Sequence, residues 1–403
     1  MRDMKREPGW MRRLRIAVVA VATAAAVWPA AAGAATLPGL PGWTGSTPWW
    51  NNVEHWLGTV GWNLPTGGTP VPPKPTPTPT ATPSPTVTPT PPGGGGGGGG
   101  GGSPGRGTTF SGTYTGSAGS RAYRGYVPSS YVAGQALPLV VVLHGCTQSA
   151  QIMQSLTRFS ELAESRHFIV VFPEQPSSAN QQKCWNFFQD AHAHRGSGEP
   201  SLIAGITTWV QQHYTVDSHR TYVAGLSAGG AMSSVMGATY PDLYAAIGVG
   251  SGCEYAATAT CAGYKSADPG QAGKAAYTAM GQFARPLPVI AFEGDKDTTV
   301  PPVNADQLIS QWQLTADLAD DATANGSVPV ASLKTVQGQV PGGESYTQTV
   351  YGDAQGNELM QSWLVHGMGH AWSGGCSCQK YSDPTGPDET AAMYAFFMSH
   401  PMP

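Results

Sequence analysis

The stretch YVAGLSAGG (222–230) has the pattern of a β-strand that runs directly into very small residues around Ser227. Larger side chains there would clash with the neighbouring backbone, so this composition favours a sharp strand-to-helix turn. Such a turn lifts the serine hydroxyl clear of the sheet and places it at a helix N-terminus, where N–H groups favour developing negative charge. The chain has 53 glycines, so the G-x-S-x-G pattern could also arise by chance. Ser227 is therefore a candidate nucleophile that needs support from the rest of the chain.

Composition excludes some classes of partner. The 403 residues carry a net charge of −4, with 11% charged residues and no run of Lys or Arg beyond the extreme N-terminus. Nucleic-acid-binding proteins carry basic patches, so we expect no nucleic-acid partner. We expect a monomer whose partner is its substrate.

The N-terminus has the pattern of a secretion signal, assigned to residues 1–35. Arginines precede an apolar run over 16–27, and AGA (32–34) offers a small-x-small cleavage site. The run is shorter than the roughly 20 residues that a membrane span needs. We therefore expect a secreted, extracellular protein with no membrane span in its mature form.

Export predicts that the six cysteines form disulfides rather than a metal site. No C-x-x-C pair occurs, and Cys376-Ser-Cys378 is too tight for a typical zinc knuckle. Proximity in sequence favours Cys253–Cys261, while Cys376 and Cys378 could close only a small ring.

Two segments precede the main domain. Residues 36–64 contain five tryptophans and almost no charge. They could form an aromatic tag that adsorbs to a polymer surface, or they could fold back onto the main domain. Residues 65–107 predict a linker, in which alternating Pro and Thr give a stiff rod and ten glycines give a flexible joint.

Residues 108–403 have the composition of one large α/β domain. Apolar runs such as LPLVVVL (137–143) are typical of strands buried on both faces. Strands are predicted at 123–127, 137–143, 167–172 (stopped by Pro173), before Ser227, and at 246–250, 287–292 and 361–365. Helices are predicted at about 150–166, 201–214, 228–240 and 387–399. The alternation predicts a mostly parallel central sheet with helices on both faces and ligands bound beyond the carboxyl ends of the strands.

A serine nucleophile needs a base, normally a histidine held by a carboxylate. EGDKDTTVP (293–301) and HGMGHAW (366–372) each follow a predicted strand, and the order Ser, Asp, His is that of α/β-hydrolases. Asp297 is preferred over Asp295, which would brace the loop. His370 is preferred over His366, which lies at the strand end.

Ester hydrolysis also needs backbone donors for the oxyanion. We expect one from the N–H of Ala228 and one from Cys146, in the loop after strand 137–143. The Cys146 thiol is expected in a disulfide, with Cys184 as the candidate partner. An apolar substrate cleft is predicted from four aromatic residues: Trp185, Phe187, Phe188 and Trp372.

Together LHGCTQS (143–149), CWNFF (184–188), VDSHRTYVAGLSAGGAM (216–232), GDKDTTVP (294–301) and HGMGHAWSGG (366–375) resemble the poly(3-hydroxybutyrate) depolymerase family of esterases. That family also includes feruloyl and acetylxylan esterases. The resemblance implies an α/β-hydrolase fold, a triad of Ser227, Asp297 and His370, and no metal or organic cofactor.

Three functions follow from these observations. The first is a secreted serine esterase that cuts polyhydroxyalkanoate or its oligomers through an acyl-enzyme. The second is a feruloyl or acetylxylan esterase that acts on plant cell-wall polysaccharide. The third is a non-catalytic surface-binding protein, which the presence of all three triad candidates disfavours.

Overall fold

A computed structural model describes residues 107–257, 261 and 268–403. The predicted signal segment, the tryptophan-rich segment and the linker as far as residue 106 lie outside the described residues. In the described part of the chain, no helix is long and apolar enough to cross a membrane.

A ten-stranded sheet forms the centre of the domain, in the order β1-β2-β4-β3-β5-β6-β7-β10-β9-β8. Its strands are β1 Thr108–Gly116, β2 Gly119–Val127, β3 Leu137–Leu143, β4 Ile169–Glu174, β5 Val216–Leu226, β6 Ile247–Gly250, β7 Val289–Gly294, β8 Ser332–Gln339, β9 Ser345–Gly352 and β10 Glu358–His366. Two further short strands, β11 Trp372–Ser373 and β12 Ser382–Asp383, pair in parallel with each other.

The middle of the sheet, from β4 to β10, is parallel. Every residue of β3 is buried, as expected for an apolar strand covered on both faces. Antiparallel strands complete both edges, with β2 and β1 on one side and β9 and β8 on the other. The predicted α/β-hydrolase architecture, a mostly parallel sheet, is confirmed.

Helices cover both faces of this sheet. They are α1 Ala150–Thr157, α2 Phe159–Arg166, α3 Gly198–His213, α4 Ala228–Thr239, α5 Pro269–Met280, α6 Val303–Asp321 and α7 Glu389–Ser399. Helices α3 to α6 pack on one face, and α1, α2 and α7 pack on the other. Alternate residues of β3 serve the two cores: Val141 contributes to the first and Val142 to the second.

Two details of the predicted elements are wrong. The helix predicted over 150–166 is divided at Arg158, whose φ of 57° lies in the left-handed region and interrupts the helix. Pro173 lies inside β4 instead of stopping it. The pairing of β4 with β3 ends at Val171, so the missing N–H of Pro173 costs no hydrogen bond to β3.

All six cysteines form disulfides, and the pairs are Cys146–Cys184, Cys253–Cys261 and Cys376–Cys378. The preference for Cys253–Cys261, and the expected partner of Cys146, are confirmed. The first pair joins the loop after β3 to the aromatic loop at 184–188.

Candidate active site

Ser227 stands alone between β5 and α4 and belongs to neither element. Its backbone has φ 59° and ψ −123°, a conformation that non-glycine residues rarely adopt. The Ser227 N–H donates to the Gly250 carbonyl on the neighbouring strand at 2.8 Å, and the Ser227 carbonyl accepts from Ala231 N–H at 2.9 Å. Two backbone hydrogen bonds therefore hold Ser227 in this strained conformation. Backbone strain of this kind is concentrated at active sites and ligand-binding sites.

The positions of the glycines on either side of Ser227 have no room for a side chain. A Cβ on Gly225 would overlap the backbone of Gly229, and a Cβ on Gly229 would overlap the Leu143 carbonyl at the end of β3. The backbones of β5, of the Ser227 turn and of the N-terminal end of α4 therefore lie in close contact. The spacing of the G-x-S-x-G pattern thus has a steric cause at both of its glycines.

Asp297 and His370 form a close pair at the same edge of the sheet. His370 Nδ1 lies 2.6 Å from Asp297 Oδ2. The other carboxylate oxygen, Oδ1, accepts the N–H groups of Thr299 at 2.7 Å and Val300 at 2.8 Å. Asp297 is 4% exposed and Ser227 is 9% exposed, so both side chains are largely shielded from solvent. Backbone N–H groups therefore hold Oδ1 of the Asp297 carboxylate, and Oδ2 contacts the His370 imidazole.

Asp295 and His366 form a second, separate pair. His366 Nδ1 lies 3.2 Å from Asp295 Oδ2, and His366 Nε2 lies 2.9 Å from the Thr347 hydroxyl. Asp295 Oδ1 also accepts the Gly367 N–H at 2.9 Å. Both nitrogens of His366 are engaged, whereas His370 Nε2 has no hydrogen-bond partner among the described residues. This geometry favours His370 over His366 as a base.

The topology places the three candidates at one edge of the sheet. Ser227 follows β5, Asp297 follows β7 and His370 follows β10, and these strands are parallel members of the order β5-β6-β7-β10. Ser227 Oγ makes no hydrogen bond to His370 within 3.5 Å in the described part of the chain. Catalytic contacts are often loose without substrate, so this gap is compatible with a serine–histidine step.

The loop after β3 passes directly beside the serine. A Cβ on Gly145 would lie 3.2 Å from the Ser227 Cβ, and the Gly145 N–H donates to Gln148 Oε1 at 2.7 Å. His144 Nε2 accepts the Gln175 N–H at 3.0 Å, and burial lowers the His144 pKa to about 4. His144 is therefore neutral and serves as a fixed support for the loop.

The two expected oxyanion donors lie on the two segments that meet at Ser227. Ala228 is the first residue of α4, so its N–H has no acceptor within that helix. Cys146 follows Gly145, and its disulfide to Cys184 ties this part of the loop in place. The N–H groups of Ala228 and Cys146 therefore stay the predicted donors of an oxyanion hole.

Two of the four aromatic residues predicted to bind substrate do not line a cleft. Trp185 and Trp372 are fully buried, and that expectation is corrected for both. Trp185 packs against the His144 ring at a centroid distance of 5.6 Å, and Trp372 donates its Nε1–H to the Thr390 hydroxyl at 2.9 Å. Burial of these large apolar side chains in the core stabilises the fold more than partial burial in an open cleft would.

Phe187 and Phe188 remain half-buried, with rings 5.4 Å apart in an edge-to-face arrangement. Phe187 packs against a small apolar cluster that includes Ala231 of α4 and Val300 of the Asp297 loop. The pair of phenylalanines therefore lies next to the elements that carry Ser227 and Asp297.

A buried polar network that is not among the predicted site features lies beneath the aromatic loop. Glu199 is fully buried and accepts from Arg121 at 3.1 Å. It also accepts the Asn186 N–H at 2.7 Å and the Asn186 side-chain amide at 2.6 Å, and it bonds the amide of Gln175. The polar residues within FPEQ (172–175) and CWNFF (184–188) are the signal that points to such a network.

The family model described as "Esterase PHB depolymerase" matches residues 121–329. That range contains Ser227 and Asp297, and His370 lies beyond it. Poly(3-hydroxyalkanoate) depolymerase C of Paucimonas lemoignei is 34% identical over 255 residues, which cover 61% of this chain and 57% of that protein. The chain thus spans a little over half the length of this relative.

Fungal acetylxylan esterases are also similar to this chain. Acetylxylan esterase A of Emericella nidulans is 32% identical over 261 residues, which cover 61% of this chain and 78% of that protein. The structure of an acetyl xylan esterase from Aspergillus awamori superposes with a TM-score of 0.55 at 26% identity, covering 65% of this chain and 94% of that one. The chain belongs to the Esterase PHB depolymerase family, whose members are carboxylic ester hydrolases.

Proposed function

We propose that the chain is a secreted serine esterase that hydrolyses ester bonds of polyhydroxyalkanoate or its oligomers through an acyl-enzyme. Ser227 acts as nucleophile, His370 as base and Asp297 as the carboxylate that orients the imidazole. The observation that carries this proposal is the 2.6 Å contact of His370 with Asp297 at the sheet edge where the strained Ser227 turn lies.

In the acylation step, His370 Nε2 takes the proton of the Ser227 hydroxyl as Oγ attacks the ester carbonyl carbon. The N–H groups of Ala228 and Cys146 hold the negative oxygen of the tetrahedral intermediate, each worth roughly 3–4 kcal/mol. The intermediate collapses and the alcohol leaves with the proton from His370. Asp297 stabilises the imidazolium that exists between these two transfers.

In the deacylation step, His370 removes a proton from water, which attacks the acyl carbonyl. The second tetrahedral intermediate breaks the bond to Ser227 Oγ, which recovers its proton from His370. The carboxylic acid departs and the free enzyme is restored.

The half-buried pair Phe187 and Phe188 supports an apolar acyl chain as substrate, because a hydroxyalkanoate presents methyl and methylene groups to such rings. The similarity to a poly(3-hydroxyalkanoate) depolymerase supports the same choice. The alternative is an acetylxylan or feruloyl esterase. It is supported by Acetylxylan esterase A, of whose length the matched region covers 78%.

Product release from two solid substrates tests this choice. The purified chain is incubated with polyhydroxybutyrate film and with acetylated and feruloylated xylan, with Ser227→Ala as the blank. We expect hydroxybutyrate release to exceed acetate and ferulate release. A reversed order overturns the polyester assignment while leaving the esterase mechanism intact.

Export and domain organisation are part of the proposal. Residues 1–35 would be removed as a signal segment, 36–64 and 65–107 would precede the catalytic domain, and 108–403 would carry the activity. The three disulfides support an oxidising compartment. N-terminal sequencing of the mature protein tests the cleavage. Deleting residues 36–64 tests adsorption, because unchanged binding to both solids would rule out a role as an adsorption tag.

A further inference from the structure

Glu293 lies at the end of β7 and is 1% exposed. Its Oε1 accepts the Gly294 N–H at 3.0 Å and lies 3.4 Å from the Ser251 hydroxyl. Its Oε2 is buried and receives no hydrogen bond from any N–H or O–H group among the described residues. A buried ionised carboxylate would need donors on both oxygens. The arrangement at Glu293 therefore fits a carboxylic acid whose Oε2 carries the proton.

An acceptor for that proton stands within hydrogen-bonding reach, on the carboxylate of Asp297. Asp297 Oδ1 already accepts two backbone N–H groups, whereas among the described residues Oδ2 accepts an N–H only from His370. Each carboxylate oxygen has room for about two donors, so one position on Oδ2 remains open.

The electrostatics agree with this geometry. Burial, reinforced by the negative charge of Asp297, raises the pKa of Glu293 well above its usual range. The groups that face Glu293 are Asp297 on its own loop and the uncharged Ser251 after β6. Glu389 of α7 lies against Gly250 of β6, and burial raises the pKa of this carboxyl well above its usual value too. No cation among these groups favours an ionised Glu293.

We propose that Glu293 is a positioning residue, a neutral carboxylic acid that donates its hydroxyl hydrogen to Asp297 and fixes the carboxylate that holds His370. This inference rests on the proposed function, because it assigns a role through Asp297. The donated hydrogen bond also offsets part of the Asp297 charge that stabilises the imidazolium.

Two substitutions separate this role from simple packing. Glu293→Gln keeps an oxygen for Gly294 and places an N–H₂ donor where the acid hydroxyl was. Glu293→Met keeps a similar volume but has no N–H or O–H donor. Hydrolysis of p-nitrophenyl butyrate is measured from pH 5 to 9 for the wild type and both variants, with thermal unfolding as the test of folding.

We expect Glu293→Gln to keep kcat/KM within about threefold and to keep the pH profile of the wild type. We expect Glu293→Met to lower kcat/KM roughly 10- to 100-fold, since a small misplacement of a catalytic group can cost that much. Its acid limb should move to higher pH, because an Asp297 charge that is no longer offset favours the protonated imidazole.

Two outcomes overturn the inference: a Glu293→Met profile that matches the wild type, or a Glu293→Gln loss as large as that of Glu293→Met. The second outcome would mean that Glu293 works in its ionised form. If Glu293→Met fails to fold, the inference is tested by Glu293→Gln alone: a pH profile and kcat/KM close to those of the wild type support it, and a large loss overturns it. Asp297→Asn is measured alongside. If Asp297→Asn retains full activity, the proposed triad is wrong. If Asp297→Asn is inactive while Glu293→Met keeps the activity and pH profile of the wild type, only the role of Glu293 is refuted.

Discussion

His370 Nδ1 and Asp297 Oδ2 lie 2.6 Å apart, although the two residues are 73 positions apart in the chain. The parallel pairing of β7 with β10 brings the two loops together, because the loops leave neighbouring strands at the same edge of the sheet. A histidine held in this way has one ring nitrogen occupied and the other available to a hydroxyl group. The predictions below test this relationship and the elements that support it.

Replacement of the two loop aspartates should separate catalysis from bracing. Asp297→Asn is expected to lower kcat by about 10⁴-fold, because the amide favours the wrong imidazole tautomer. Asp295→Asn should have a small effect, since Asp295 contacts His366 and Gly367 instead. Steady-state hydrolysis of p-nitrophenyl butyrate measures both. Equal losses in the two variants would contradict the assignment.

Removal of the Cys146–Cys184 disulfide should weaken folding more than removal of Cys376–Cys378. The first closes a loop with a sequence separation of 38 residues and the second a separation of 2. Loop entropy predicts a loss of about 4 kcal/mol for the Cys146→Ala, Cys184→Ala double variant and roughly half of that or less for the other pair. Denaturant unfolding measures both losses, and the reverse order would be inconsistent with this account.

Disruption of the hydrogen-bond network around Glu199 should lower the free energy of unfolding substantially. Glu199→Gln leaves the buried Arg121 without its carboxylate counter-ion and sets an amide N–H₂ group against the donors of Asn186. We expect a loss of about 3–5 kcal/mol in the free energy of unfolding. Glu161→Gln is the matched control. It breaks the Arg158–Glu161 pair, whose side chains are 52% and 66% exposed, and should cost less than about 1 kcal/mol. A Glu199→Gln variant as stable as Glu161→Gln would show that the network contributes little.

Stability should depend on pH through Glu389. Burial raises the pKa of this carboxyl well above its usual value, so the folded protein keeps a proton that the unfolded chain releases above about pH 4.3. The unfolded state then binds fewer protons, and the contribution of Glu389 to stability falls as pH rises. Glu389→Gln removes this dependence. Its stability relative to the wild type should be greater at pH 8 than at pH 5 in urea unfolding, and a constant difference would count against a neutral Glu389.

The sequence predicts the centre of the domain better than its edges. The run at 137–143 is apolar throughout and matches β3 in both bounds. The strands β8 and β9 are not predicted, because SLKTVQGQ (332–339) and SYTQTVYG (345–352) are polar strands at one side of the sheet without an apolar run. Helices α5 and α6 also escaped prediction, since α6 buries several polar residues such as Gln311 and Asn304 that mask its apolar face.

The same limit applies to the site. Order along the chain was enough to nominate Ser227, Asp297 and His370, because parallel topology converts strand order into proximity. Aromatic composition could not distinguish the buried Trp185 from the half-buried Phe187, since burial depends on which side of the loop faces the core. The roles of Glu199 and Glu293 depend on tertiary contacts between distant segments, which no local pattern contains.

The most direct test of the central claim is the hydrolysis rate of a small activated ester by Ser227→Ala, with folding verified by circular dichroism. A serine nucleophile in this family predicts a loss of roughly 10⁶-fold in kcat with the fold unchanged. A folded Ser227→Ala variant that retains the wild-type rate would contradict the proposed mechanism.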